Sequence, residues 1–170
     1  TLTDKEFPIA PILRTGDLDG DGLTDLIVAS ASVSTDTVRY FKNVGSKQMF
    51  TLGKTELDPF CNISNEMWKR SAPFLVDLDG DLDLDLVLGG SSKLRLFLNT
   101  GNTTSPKFAA EPEKEPNVIS EIKVPVKYQK GRSVGAFLIP SFMDTNADGD
   151  VDLVIGSYYE KRVFYFVKHW

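Results

Sequence analysis

Three short windows of this chain hold most of its aspartate, and they repeat one spacing. Asp17-Leu18-Asp19-Gly20-Asp21-Gly22-Leu23-Thr24-Asp25 places carboxylates at positions 1, 3, 5 and 9, with glycine at position 6. Asp144-Thr145-Asn146-Ala147-Asp148-Gly149-Asp150-Val151-Asp152 keeps that spacing with an amide oxygen at position 3. Asp77-Leu78-Asp79-Gly80-Asp81-Leu82-Asp83-Leu84-Asp85 keeps all four carboxylates but has Leu82 at position 6, which leaves the geometry of this turn open. Thirteen of the 16 aspartates lie in these windows, and without them the formal charge of -5 would be +8, so the acidity is local. Like charges at alternate positions repel, and the cost falls on solvent and salt unless a cation binds.

Hard oxygen donors in this number suit Ca2+, which takes roughly six to eight oxygens at about 2.3–2.6 Å in a flexible geometry; Mg2+ prefers a stricter octahedron and keeps more water. Glycine at position 6 permits the positive backbone dihedral that lets positions 1, 3 and 5 point inward. Position 7 then offers a backbone carbonyl, from Leu23, Asp83 or Asp150, and position 9 closes the site with a carboxylate. The expected ligand sets are Asp17, Asp19, Asp21, Leu23 and Asp25; Asp77, Asp79, Asp81, Asp83 and Asp85; and Asp144, Asn146, Asp148, Asp150 and Asp152, for up to three Ca2+ ions. An EF-hand loop begins similarly but needs a bidentate glutamate at position 12 and helices on both sides. Position 12 is Val28, Leu88 and Ile155, so that reading fails three times. Solvated hairpin turns whose aspartates merely favour the turn are the plainer alternative. Recurrence of the spacing in three places favours the ion.

The windows stand 60 and 67 residues apart, which makes the chain three related units. Each window feeds a short apolar run: Leu26-Ile27-Val28-Ala29, Leu84-Asp85-Leu86-Val87-Leu88 and Val151-Asp152-Leu153-Val154-Ile155. Such runs read as strands covered on both faces. Before the windows stand Ala10-Pro11-Ile12-Leu13, Ala72-Pro73-Phe74-Leu75 and Ala136-Phe137-Leu138-Ile139, the third without the proline. After them come Val38-Arg39-Tyr40-Phe41-Lys42-Asn43-Val44-Gly45 and Leu94-Arg95-Leu96-Phe97-Leu98-Asn99-Thr100-Gly101, then Phe50 and Phe108, while the third unit has Val163-Phe164-Tyr165-Phe166-Val167-Lys168. The expected fold is therefore all-β, built of β-propeller blades of four antiparallel strands, with about three blades. The expected divisions are blade 1 at 1–53, a loop at 54–70, blade 2 at 71–110, a loop at 111–132 and an incomplete blade 3 at 133–170.

The acidic loops, the Ala-Pro before two of them and the Asn-x-Gly after the aromatic strand resemble FG-GAP/VCBS repeats, the blades of integrin α-subunit heads and of many secreted or cell-surface proteins. The resemblance covers nearly the whole chain. It implies Ca2+ held between the first two strands of a blade, by Asp17, Asp19, Asp21 and Asp25, by Asp77, Asp79, Asp81 and Asp85, and by Asp144, Asn146, Asp148 and Asp152. It also implies a scaffold whose loops meet a protein or glycan partner. Closing such a ring takes roughly four to eight blades, so the remaining blades are expected from a longer chain or from another copy.

Composition narrows the function further. A hydrophobic content of 41% is enough to fill a core, and the charge of -5 gives nucleic acid or an anionic membrane no electrostatic hold. A lone Cys61 excludes an intrachain disulfide and reads as a small, partly buried residue, while a lone His169 removes paired zinc ligands and most acid-base machinery. No apolar run approaches the roughly 18 residues of a spanning helix. Asn62-Ile63-Ser64 and Asn102-Thr103-Thr104 satisfy the N-glycosylation rule, which, with the calcium supply outside cells, points to an extracellular or cell-surface setting. Phe41, Phe97 and Phe166 read as core; Trp68 and Tyr158-Tyr159 lie between strands. The expectation is a calcium-stabilised binding, adhesion or structural module without catalysis of its own; the alternative is part of a propeller-type polysaccharide lyase, in which a carboxylate or lysine abstracts a sugar proton.

Overall fold

Short, mainly apolar runs alternate with aspartate- and glycine-bearing turns along this chain, and that alternation sets its elements. The computed structural model describes residues 10–30, 38–53, 58–61, 63, 70–90, 93–110, 112–114, 119, 137–158 and 161–167. Among them are nine strands and no helix: β1 (Pro11–Gly16), β2 (Asp25–Ser30), β3 (Arg39–Phe41), β4 (Ala72–Val76), β5 (Asp85–Gly89), β6 (Leu94–Phe97), β7 (Leu138–Met143), β8 (Asp152–Ser157) and β9 (Arg162–Phe166). They form three separate antiparallel sheets, ordered β1-β2-β3, β4-β5-β6 and β7-β8-β9.

All three sheets share one register. The residue after the position-9 aspartate lies opposite the recurring phenylalanine of the third strand: Leu26 opposite Phe41, Leu86 opposite Phe97, Leu153 opposite Phe166. The same register corrects the alignment of the prolines. Pro73 lies opposite Leu88 and Pro140 opposite Ile155, each three residues beyond the position-9 aspartate, whereas Pro11 lies opposite Ser30, two steps further out. The third unit therefore does carry the proline of the second, and Leu13, opposite Val28, fills that place in the first.

Three strands per sheet, rather than four, is a second difference from expectation. The segments around Phe50 and Phe108 meet the preceding chain only through isolated bridges, Asn43 with Leu52 and Asn99 with Phe108. The reason is the asparagine. Asn43 Oδ1 accepts the N–H groups of Gly45 (3.0 Å) and Thr51 (3.1 Å), and Asn99 Oδ1 accepts those of Gly101 (3.0 Å) and Lys107 (2.8 Å). A side-chain amide thus occupies the place of a ladder carbonyl, and the fourth strand shrinks to a capped hairpin. The glycine two residues on is there for close approach: a Cβ on Gly45 would lie 2.0 Å from Met49 O, and one on Gly101 2.1 Å from Ser105 O.

The middle sheet is covered on both faces. Leu86 and Leu88 of β5 pack with Leu18, Ile27, Tyr40, Phe60 and Phe108. Val87, which points the other way, packs with Leu138, Phe142, Leu153 and Ile155. β4 runs beside β1 and β7 runs beside β4, so the first strands of successive sheets are neighbours. One hydrogen bond recurs at each junction: Ser71 N–H donates to Ser30 O (2.8 Å), and Leu138 N–H to Gly90 O (3.0 Å). The sheets form an open row. Phe97 is fully buried and Phe166 packs partly buried against the second cluster, as expected of core residues. Cys61 is exposed rather than partly buried. Asn62, Ser64, Trp68, Tyr159, His169 and most of 54–70 and 111–132 lie outside the described residues.

Candidate cation sites

Each acidic window is the turn between the first two strands of a sheet, and the three turns share a backbone. Positions 4 and 6 both take positive φ: Gly20 and Gly22, Gly80 and Leu82, Ala147 and Gly149. Leu82, at 74°, holds the conformation that glycine holds in the other two. Its side chain is 82% exposed, so it meets no steric obstacle and contributes little burial in return for a strained dihedral. The reading from position 6 alone missed the second left-handed residue at position 4.

Aspartate oxygens template this backbone. The position-1 carboxylate accepts the position-6 N–H in every turn: Gly22 to Asp17 (2.9 Å), Leu82 to Asp77 (3.0 Å), Gly149 to Asp144 (3.0 Å). The position-5 carboxylate accepts the position-7 N–H: Leu23 to Asp21 (2.9 Å), Asp83 to Asp81 (3.0 Å), Asp150 to Asp148 (2.9 Å). Asp79 and Asn146 at position 3 each accept the N–H of position 5. Asp19 does not, because it faces a different donor.

Position 9 is a buried hub. Asp25, Asp85 and Asp152 are all fully buried. Asp25 Oδ2 accepts Leu18 N–H (3.1 Å) and Oδ1 accepts Asn43 N–H (2.8 Å); Asp85 repeats this with Leu78 (3.0 Å) and Asn99 (2.9 Å). In the third unit Thr145 N–H donates to Asp152 (3.2 Å), and the Thr145 hydroxyl does so too. One carboxylate therefore ties the turn to the second strand and, in two units, to the capped hairpin. The bond to the hairpin uses the backbone N–H of Asn43 or Asn99; the asparagine side chain is needed for the hairpin cap, where its Oδ1 accepts two further N–H groups.

The first two turns then part company. In the first, Lys42 Nζ reaches Asp19 Oδ2 and lies 2.7 Å from Asp21 Oδ2. Its hydrogen bonds to Asp19 and Asp21 raise the Lys42 pKa, and Lys42 in turn lowers that of Asp21. Tyr40 donates its hydroxyl to Asp25 Oδ2 (2.9 Å), and burial with that bond keeps the phenol protonated. Burial pushes Asp25 upward, while the N–H of Asn43 and the Tyr40 hydroxyl pull it back. In the second turn the matching places, read from the register and the following residue, hold Leu96 and Leu98. Among the described residues no lysine or tyrosine meets these acids. Burial, followed by the charges of its acidic neighbours, pushes Asp83 up to about 6, and burial likewise takes Asp85 to about 6. The third turn stands between: Tyr165 Oη lies 3.5 Å from Asp152 Oδ2, and Val167 takes the place of Lys42.

Two oxygen clusters fit an ion. One carboxylate oxygen from each of Asp17, Asp19 and Asp21 lies within 4.8 Å of the others, and so does one from each of Asp77, Asp79 and Asp85. Oxygens on opposite sides of Ca2+ stand about 4.6–5.2 Å apart, twice the usual bond length. The expected sets are thus gathered in part: Asp25 is outside the first trio, and Asp81 and Asp83 are outside the second. Among the described residues the third turn, with Asn146 in place of an acid, forms no such trio. Asp83 was expected to serve through its carbonyl, yet its side chain is 4% exposed and its Oδ1 has no partner. Asp19 Oδ1 is likewise buried and unpaired. Lys42 and Tyr40 were missed as site residues; the signal was there in the change from Tyr-Phe-Lys to Leu-Phe-Leu between units. Asn102 is exposed in a tight turn, its Oδ1 accepting Thr104 N–H and the Thr104 hydroxyl, each at 3.0 Å. No protein-family model, curated protein or solved structure matches this chain.

Proposed function

We propose that the chain is a calcium-stabilised segment of a β-propeller of the FG-GAP/VCBS kind, acting outside the cell or at its surface as a binding, adhesion or structural module. What supports this most is that three turns of different sequence keep one backbone, with positive φ at positions 4 and 6 and a buried aspartate at position 9. Oxygen trios of calcium size in two of them support the choice of ion. Exposed Leu13, Val163 and Tyr165 on the outer sheets support further blades from a longer chain or from another copy. A protein or glycan partner then meets the loops, and glycans occupy Asn62 and Asn102.

Ion binding couples to folding because the trios exist only in the folded chain. An ion present at 100 times its dissociation constant stabilises by about 2.7 kcal/mol. Thermal melts in millimolar Ca2+ and in EDTA test the reading. The expected result is a higher midpoint with Ca2+ than with Mg2+ or chelator; identical melts in all three would sink it.

A further inference from the structure

One cation of the chain itself, the Lys42 ammonium, distinguishes its acidic turns. Lys42 comes from the end of β3 and bridges Asp19 and Asp21, two members of the first oxygen trio. Tyr40, two residues earlier, donates to Asp25 Oδ2, and Asp25 stands outside that trio. In the second turn Leu96 and Leu98 stand in both places, and Asp85, with no phenol upon it, joins Asp77 and Asp79. Two changes on one strand thus move together with the membership of position 9. Each turn also holds a buried carboxylate oxygen without a partner, Asp19 Oδ1 in the first and Asp83 Oδ1 in the second. Asp83 is 4% exposed and near enough to Asp81, Asp85 and Asp79 to feel their charges. Desolvating an oxygen without giving it a donor is costly, and a hard cation removes that cost.

We infer that the Lys42 ammonium is the resident cation of the first turn, a covalently attached competitor for the divalent ion, and that the second turn is the high-affinity divalent site. This rests on the calcium reading above and adds an order of filling to it. An ammonium held between two carboxylates supplies one charge at no cost in translational freedom, so a divalent ion enters only by displacing it. Among the described residues no ammonium stands on the second turn, so nothing there has to be displaced. Its irregular Leu82 does not weaken it, because the backbone there keeps the left-handed conformation of the other two.

Calorimetric titration of Ca2+ into the chain and three variants tests this. Wild-type chain should show one tight event, and Asp77→Asn with Asp79→Asn together should abolish it. Lys42→Met should leave that event in place and tighten a separate, weaker event by tenfold or more. Leu98→Lys should weaken the tight event by a similar factor, which keeps the test open should Lys42→Met fail to fold. A tight event that survives the double variant, or titrations unchanged by both Lys42→Met and Leu98→Lys, would overturn the inference while leaving calcium binding standing. Absence of Ca2+ uptake by every folded variant would overturn the calcium reading and this inference with it.

Discussion

The first and second turns reach one backbone by opposite means. The first obeys the glycine rule at position 6, offsets part of its negative charge with Lys42 and gives Asp25 a hydrogen bond from Tyr40. The second breaks the rule with Leu82 and leaves a cluster that burial and mutual repulsion push toward protonation. The regular motif thus has the more self-sufficient turn, and the irregular one the greater demand for a cation. Agreement with a spacing pattern reports on backbone shape; what stands across the strand decides how much charge is left over.

Removing the hubs should separate the two most sharply. Asp25→Ala strips three donors of their acceptor and Asp85→Ala strips two, each buried donor costing about 1–3 kcal/mol. Urea unfolding in EDTA should therefore show a loss of about 4 kcal/mol for the first and about 3 kcal/mol for the second. Equal losses would mean that Tyr40 adds nothing.

Gly45→Ala and Gly101→Ala probe what the units share. Each Cβ would meet a backbone oxygen at 2.0 or 2.1 Å, so both should lose about 2–3 kcal/mol in the same assay, within about 0.5 kcal/mol of each other. A wide gap between them would break the equivalence of the two hairpins.

Acidity offers a third test, confined to the second turn. The folded-state pKa of Asp83 and of Asp85, at about 6, lies above the ordinary carboxylate value of 3.8. Between those limits the folded chain binds more protons than the unfolded one, so this contribution weakens stability as pH rises through the window. In EDTA the melting temperature should therefore climb between pH 7 and pH 5, and Asp83→Asn should flatten the climb. With saturating Ca2+ the trend should flatten or reverse, since protons then compete with the ion.

Exchange at position 6 should give the smallest effect. Leu82→Gly relieves a left-handed leucine and should stabilise by about 1 kcal/mol, less what glycine adds to the freedom of the unfolded chain. Gly22→Leu should destabilise by about 1–2 kcal/mol. Denaturant midpoints with unchanged slopes would check both.

The strands beside the turns were legible in sequence because their apolar runs, such as Leu26 to Ala29, sit directly after a fixed acidic landmark. The fourth strand was misread because Phe50 and Phe108 carry the right residue type, while the decisive event is an asparagine side chain taking ladder bonds from across the hairpin. The proline alignment slipped by two places because Ala-Pro looks alike wherever it stands, and only pairing fixes register. Positions 1, 3 and 5 meet in the first turn, but positions 1, 3 and 9 meet in the second, and the partners of Asp25 leave no mark in its own window. Tyr40 and Lys42 reach the turn from another strand, so the spacing within the turn does not show them, and only the change from Tyr-Phe-Lys to Leu-Phe-Leu between units marks them.

Among the described residues of this chain only the middle sheet is flanked on both sides, which gives the chain on its own an order of melting. Heat should peel the outer layers first, as a zipper opens from its ends, and the amide protons of Leu86, Val87 and Leu88 should be the last to exchange with solvent.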